Sequence, residues 1–143
     1  MPKDGGNPPD ALPLLKPDKI MIEHPWQTIV GQPPSKSNTY KIITFAGHSK
    51  LGKTPATQKY EKAFYIQVGS YRNMMITGFF ELHIRVYFST MSHDLDNSLK
   101  VVLDCLQQTQ TIKNDNKCVR IVADKFVDKL NPRIEFKLVE VEV

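Results

Sequence analysis

The sequence has no long apolar segment and only two cysteines. None of its 143 residues lies in an apolar run that approaches the roughly 18 residues of a membrane-spanning helix. The first residues include no apolar core of a secretory signal, so we expect none to be cleaved. Cys105 and Cys118 match no spacing typical of metal-binding cysteines. These features predict a reduced, cytoplasmic protein without membrane contact.

The composition predicts one globular domain preceded by a tail. Charged residues make up 24% of the chain and hydrophobic residues 41%, which is typical of a folded protein rather than a disordered one. Residues 1–18 contain five prolines and two adjacent glycines, and we interpret them as a flexible tail. Residues 19–143 are long enough to form a single core.

The positive charge is concentrated in one part of the chain. The net charge is +4, but residues 31–75 contain seven Lys or Arg and one acid, a local charge of +6 that leaves −2 for the rest. A basic region in a chain that also has an acidic cluster is typical of a surface that binds a polyanion. The alternative is an ordinary solvated face without a partner.

Hydrophobic periodicity predicts an α+β fold in which about two main helices pack on a mixed β-sheet. The clearest strand covers 80–88, where apolar and polar residues alternate. Thr54 and Pro55 are typical of a helix start. A second helix begins near residue 95 and gives way to a polar loop at 107–111. The other predictions are strands at 19–23, 26–30, 40–45, 118–125 and 133–143, and loops at 31–38 and 46–53. The apolar phase of the last strand changes between Leu138 and Val139, which indicates either a bulge or a passage to an interface.

Three carboxylates around the second helix form the strongest candidate site. Asp94 and Asp96 lie at the helix start, and Asp115 follows the helix in a polar turn before a strand. Converging acids repel one another unless a cation lies between them, and hard oxygen ligands suit Mg²⁺. Lys100, one turn after Asp96, could hold a phosphate oxygen. The pattern therefore suggests Mg²⁺-dependent cleavage of a phosphodiester.

Simpler interpretations remain open for each of these residues. An Asp at a helix start often only caps the helix and complements its dipole. Lys100 could form an i,i+4 salt bridge with Asp96 or Asp104. His93 could bind metal or transfer protons, but a lone histidine beside an acid is more often an ordinary surface residue.

The stretch from Gly47 to Thr54 superficially resembles a phosphate-binding loop. Gly47, Gly52, Lys53 and Thr54 fit the G-x-x-x-x-G-K-[ST] spacing of nucleotide-binding loops, but a short motif of this kind often occurs by coincidence. We therefore interpret this stretch as a mobile basic loop, including Lys53, that contacts DNA.

The chain resembles the RusA-like Holliday-junction resolvases over about residues 26–143. The resemblance is carried by Asp94-Leu95-Asp96-Asn97 with Lys100, Asp104 and Leu106, by a Pro33-Pro34-Ser35 loop, by the ten-residue spacing from Asp115 to Lys125, and by Pro132-Arg133-Ile134-Glu135. The chain departs from the family in two respects. Asn114 stands where the family commonly has an acid before Asp115, and the first 25 residues are additional.

The resemblance implies a small α+β homodimer that nicks four-way junction DNA with Mg²⁺. It implies that Asp94, Asp96 and Asp115 bind the metal, that Lys100 lies at the phosphate and that Asn97 supports the site. It also implies DNA contacts by Lys36 and Asn38, and we add Asn97 and Lys125 to these. A two-fold symmetric junction cut by paired nicks requires two active sites, which a dimer supplies. The alternatives are a broader branched-DNA nuclease and a junction-binding protein without catalysis.

Overall fold

The computed structural model describes residues 19–34, 40–45 and 48–142. The described part contains seven strands, two α-helices, and short 3-10 helices at Gly69–Tyr71 and Asp115–Lys117. The strands are β1 (Ile20–Glu23), β2 (Gln27–Val30), β3 (Tyr40–Phe45), β4 (His48–Lys53), β5 (Phe80–Phe88), β6 (Cys118–Val127) and β7 (Arg133–Val141), and the helices are α1 (Pro55–Gln67) and α2 (Leu95–Gln108). This is the predicted α+β fold.

Five strands form one mixed sheet. β7 lies between β5 on one side and the short strands β1 and β2 on the other, all antiparallel to it. β6 lies at the opposite edge and pairs with β5 in parallel. The connection between these two parallel strands passes through α2, as a parallel pair requires. β3 and β4 form a separate two-stranded antiparallel sheet.

The alternation in β5 gives the sheet one buried and one more open face. Leu82, Ile84 and Val86 are buried against the helices, whereas His83, Arg85 and Tyr87 lie half-buried on the other face. In the parallel register Val86 is opposite Lys125 and Tyr87 is opposite Phe126. Opposed residues share a face, so Lys125 lies on the helical side of the sheet and Phe126 on the open side.

Both helices pack on the same face of the sheet. The Thr54 side chain accepts a hydrogen bond from the Thr57 backbone N–H (3.3 Å), and Pro55 is the first helical residue of α1, as predicted. Phe64 of α1 and Leu106 of α2 are fully buried in one core with the apolar residues of β5. This packing fixes the start of α2 beside the carboxyl end of β5.

Two local predictions are wrong. Residues 48–53 form β4 rather than part of a loop, because their backbone pairs with β3 from His48 to Lys53 although the sequence there is polar. One alternative for the last strand, a bulge between Leu138 and Val139, is absent from the pairing with β5, which continues in register through both residues. Both are buried, so the change in apolar phase reflects cover on both faces of β7. The register instead shifts in β1, between Ile20 and Ile22.

The remaining predictions concern segments at the ends of the chain or outside the described part. The tail predicted for residues 1–18 lies outside the described residues, as do residues 35–38 of the loop predicted at 31–38. None of the helices in the described ranges is long and apolar enough to span a membrane.

Candidate active site

Asp94 stands at the N-cap of α2, directly after the turn that follows β5. Its backbone is extended, but its side chain makes no capping hydrogen bond to the first turn of the helix. Its Oδ2 instead accepts a hydrogen bond from Asn97 Nδ2 at 3.4 Å. Capping therefore does not explain this carboxylate. Asp96 lies in the first turn of the same helix, where it is exposed and complements the helix dipole.

Lys100 joins two acids from different parts of the chain. Its Nζ lies 3.0 Å from Asp104 Oδ1 and 3.3 Å from Asp115 Oδ2. The hydrogen bond to Asp104 is the main reason that the pKa of Lys100 is above its ordinary value, and Asp115 adds to the effect. The side chain remains 64% exposed, so its charge is accessible to an anion in solvent. The contact with Asp104 is one of the two i,i+4 pairs that the helical spacing predicts for Lys100.

Asp115 is held beside the last turn of α2 by a hydrogen bond from its own backbone. Its N–H donates to Gln107 Oε1 at 3.1 Å, and it begins the 3-10 helix before β6. Asn114 caps this 3-10 helix, because its Oδ1 accepts from the Asn116 N–H at 3.0 Å. The residue that departs from the family pattern thus shapes the turn that presents Asp115.

The three predicted metal ligands contribute suitable donors but do not form one tight cluster. In the described ranges, no three His, Cys, Asp or Glu side chains converge closely enough to hold a metal ion. The contacts of Asp115 lead to Lys100 and Gln107, whereas Asp94 contacts Asn97. Carboxylate oxygens on an exposed helix start are nevertheless the donor type that Mg²⁺ prefers. The donor chemistry therefore fits Mg²⁺, and the described geometry has Lys100 as the cation next to Asp115.

The turn between β5 and α2 is fastened by residues from elsewhere in the chain. Lys125 Nζ donates hydrogen bonds to the backbone carbonyls of Met91, at 2.8 Å, and of His93. Gln32 Oε1 accepts from the Ser89 N–H at 2.7 Å, and Gln32 Nε2 donates to His93 Nε2 at 3.1 Å. These contacts fix the backbone immediately before Asp94.

The sequence did not predict that Lys125 and Gln32 hold the turn before Asp94. Lys125 was predicted to contact DNA, and Gln32 was not singled out. Only the adjacency of β5 and β6 brings Lys125 to the turn, and no local pattern reports that. The His93 ring stacks on Phe88, with centroids 5.2 Å apart, and accepts from Gln32, so His93 packs in the turn.

The other predicted DNA contacts fall into three groups. Lys53 Nζ lies 2.7 Å from Glu61 Oε2, with 36% of the lysine side chain exposed. Asn97 is engaged with Asp94 on α2. Lys36 and Asn38 lie outside the described residues.

Comparison with known proteins shows which family the sequence belongs to. No curated protein matches the chain significantly. A family model described as endodeoxyribonuclease RusA matches residues 31–139, which include all of β5, α2 and β6 and both acids at the start of α2. The match covers most of the chain, and so this protein belongs to the RusA endodeoxyribonuclease family.

Proposed function

We propose that this protein is a Mg²⁺-dependent endodeoxyribonuclease that resolves Holliday junctions by paired, symmetric nicks during DNA recombination and repair. The observation that carries the proposal is the family match over residues 31–139, which contain Asp94, Asp96, Lys100 and Asp115 together. Family membership implies nuclease activity. The choice of junction DNA, the metal and the paired nicks are our proposals.

The proposed roles follow from the chemistry of each side chain and from the resemblance to the family. Asp94, Asp96 and Asp115 would hold Mg²⁺, which when bound would acidify a water molecule and neutralise charge on the scissile phosphate. Lys100, whose side chain is largely exposed, would bind a non-bridging phosphate oxygen through its Nζ and stabilise the charge that develops there. Asn97 would orient the Asp94 carboxylate through the hydrogen bond it already makes.

The junction-binding part of the proposal depends on charge. The basic stretch at 31–75, including Lys36, Asn38 and Lys53, would contact the phosphate backbone. Lys53 is already paired with Glu61, so its contribution should be smaller than that of an unpaired lysine. A homodimer would place one active site on each of two opposed strands of the junction.

The testing experiment is a cleavage assay on a labelled synthetic four-way junction and on a matched linear duplex. Purified protein with Mg²⁺ should give symmetric nicks on the junction only, and none with EDTA. Asp96→Asn should lower the nicking rate at least about 100-fold while junction binding persists, because a metal ligand is lost but the basic stretch is intact. Glu142→Gln, an exposed acid outside the site, is the matched control and should cleave normally.

Each other outcome selects a different function. Nicks on flaps and other branched DNA as readily as on four-way junctions would indicate a broader branched-DNA nuclease. Binding without nicks under any divalent metal would indicate a junction-binding protein without catalysis. Full activity of Asp96→Asn would remove Asp96 from the site.

A further inference from the structure

An open cleft lies between the exposed face of α1 and the end of α2. Its volume is about 510 Å³. One wall is formed by side chains of α1 between Gln58 and Ile66, and the other by Gln108 and Thr109. The catalytic roles proposed above use none of these residues. The α1–α2 cleft is therefore a second candidate site, and the chemistry of its walls indicates what it binds.

The wall on α1 presents an aromatic ring that a neighbouring cation holds in place. Tyr65 is 51% exposed and Ile66 is 74% exposed. The Arg72 guanidinium lies 4.6 Å from the centre of the Tyr65 ring and donates hydrogen bonds to the backbone carbonyls of Tyr65 and Ile66. An aromatic ring that is held in place and half exposed is a stacking surface for another flat ring.

Two side-chain amides also line the cleft. Gln108 Nε2 donates to Glu61 Oε2 at 3.0 Å, which leaves Gln108 Oε1 to accept from a ligand. Within residues 19–34, 40–45 and 48–142, the side chains of Gln58 and Lys62 have no hydrogen bond or ion pair. An apolar protein side chain would displace water from these amides without replacing its hydrogen bonds. A flat ring with donors and acceptors along its edge, such as a nucleobase, would satisfy them.

The charge around the cleft suits a nucleic acid. α1 lies within the basic stretch at 31–75, and Lys59 and Lys62 are exposed three residues apart, as neighbours on the helix surface. The acid that lines the cleft, Glu61, is paired with Lys53 at 2.7 Å. The cleft therefore has a positive rim that attracts a phosphate backbone.

The cleft is within reach of the DNA strand that the proposed active site would cut. Gln108 follows Lys100 by eight residues on α2, which is about 12 Å along the helix axis. A strand with a phosphate at Lys100 covers this distance in about three or four nucleotides, at the roughly 3.4 Å spacing of stacked bases.

We propose that the α1–α2 cleft binds an unpaired nucleobase of the DNA substrate, a few nucleotides from the phosphate at Lys100. The base stacks on Tyr65, its edge forms hydrogen bonds with Gln58 and Gln108, and Lys62 contacts an adjoining phosphate. The proposal names a feature of the substrate of the proposed nuclease, and in that respect it rests on the proposed function.

Such a cleft distinguishes branched DNA from linear duplex. A base enters it only after leaving its pair and its stack, which costs free energy in a continuous duplex. The cost is lowest where base pairing is already interrupted, as at the branch point of a four-way junction. The cleft thus supplies a physical reason for binding a junction more tightly than a duplex.

Photocrosslinking of the full-length protein in EDTA tests the cleft without requiring cleavage. 5-Iododeoxyuridine is placed at successive positions on either side of the branch point of a synthetic four-way junction, one position in each substrate. After irradiation, mass spectrometry identifies the crosslinked residue. We expect a crosslink to Tyr65 from a few neighbouring positions, and a much weaker one from a linear duplex of the same sequence.

Substitutions in the cleft test its contribution to affinity. Tyr65→Ala should lower junction affinity about tenfold, because the stacking surface is lost, and duplex affinity by less than about twofold. Tyr65→Phe is the matched control and should bind the junction normally, since stacking requires the ring and not the hydroxyl. Gln58→Ala should lower junction affinity about threefold through the loss of one hydrogen bond. Anisotropy titrations in EDTA measure all of these affinities.

Three results would overturn the proposal: no crosslink to Tyr65, normal junction affinity of Tyr65→Ala, or an equal loss of junction and duplex affinity. Thermal unfolding shows whether Tyr65→Ala has lost its fold through the Arg72 contact, and in that case Gln58→Ala decides. Nicking is scored separately with Mg²⁺. Crosslinks without nicking would contradict only the proposed function, and nicking without crosslinks would contradict only the proposed cleft.

Discussion

Lys125 illustrates how a residue's position in the sequence and its position in the structure lead to different roles. The ten-residue spacing after Asp115 identified it, and its charge suggested a DNA contact. Its Nζ donates to two backbone carbonyls of the turn before α2, and it lies 5.7 Å from the centre of the Phe88 ring. We interpret Lys125 as a positioning residue that acts through the backbone before Asp94.

Replacing Lys125 should therefore impair cleavage more than DNA binding. Lys125→Ala removes two charge-assisted hydrogen bonds and should lower the free energy of unfolding by about 2 kcal/mol. The turn before Asp94 would lose its fastening, so we expect the nicking rate at saturating Mg²⁺ to fall about tenfold or more. Junction affinity should fall by less than about threefold. Single-turnover cleavage and anisotropy binding measure these effects separately.

A matched control distinguishes positioning from loss of positive charge. Lys19 is exposed and lies before β1, whose partner residues in β7 are opposite the beginning of β5 rather than its carboxyl end. Lys19→Ala should retain normal cleavage and stability. If Lys125→Ala weakened junction binding and left the cleavage rate of bound junction intact, Lys125 would be a DNA contact, as the sequence first suggested.

Single residues were predictable where the chemistry is local. The Lys100–Asp104 pair follows from helical spacing alone, because residues four apart share a helix face. The Lys100–Asp115 contact and the Gln32–Ser89 contact each join segments that are distant in the sequence. Hydrophobic periodicity describes only local structure, so it could not predict either contact.

At the level of elements, predictability followed the contrast between buried and exposed faces. β5 was predicted with its observed bounds because its alternation is strong and one of its faces is buried. β4 was missed because backbone pairing with β3, rather than an apolar pattern, defines it. The apolar phase of β7 suggested a bulge that is absent, because adjacent residues, Leu138 and Val139, are both buried. Sequence patterns report burial, and burial on both faces has no period.

Tyr71 connects several of these elements through one hydroxyl group. The group donates to the Pro25 carbonyl at 2.6 Å and accepts from the Leu138 N–H at 3.2 Å, so it links the segment between β1 and β2 to β7. The ring is fully buried beside Phe136. Burial raises the pKa of Tyr71 from 10.0 to about 12, although the hydrogen bond from Leu138 partly opposes this.

The raised pKa predicts a loss of stability in alkali. Between pH 10 and 12 the unfolded chain releases the Tyr71 proton while the folded chain retains it, so the free energy of unfolding must fall as the pH rises. Tyr71→Phe should be less stable at pH 8 by about 1–2 kcal/mol, because it leaves a buried partner unpaired. Its decline from pH 10 to 12 should be shallower than that of the unchanged protein.

Urea unfolding at pH 8, 10 and 11 measures this difference. Tyr65→Phe is the matched control, since Tyr65 lies on α1 with half of its surface exposed. That variant should follow the pH dependence of the unchanged protein. Parallel curves for Tyr71→Phe and the unchanged protein would mean that Tyr71 does not retain its proton in the folded state over this range.

Across the whole molecule, basic residues on the main sheet form ion pairs with acids, whereas the basic stretch at 31–75 contains few acids. Arg85 contacts Glu135, Arg133 contacts Glu135 and Asp128, and Lys137 contacts Glu23. Three cations on the sheet therefore face three acids and are neutralised within the protein. The basic stretch at 31–75 has one acid, Glu61, and that acid is paired with Lys53. The excess charge of the stretch is therefore left to its other basic residues, including Lys36.

This distribution predicts unequal effects of two lysines on the salt dependence of junction binding. Each phosphate contact contributes about −0.9 to the slope of log affinity against log salt concentration. Lys36→Ala should therefore make the slope shallower by about 0.9, whereas Lys53→Ala should change it less, because Glu61 already offsets that charge. Anisotropy titrations of a labelled junction in EDTA, from about 50 to 200 mM salt, measure the slopes without cleavage.

Lys19→Ala should keep the original slope, since Lys19 lies at the other end of the sheet. An unchanged slope in both the Lys36 and Lys53 variants would mean that the junction binds elsewhere on the molecule, despite the local charge of +6.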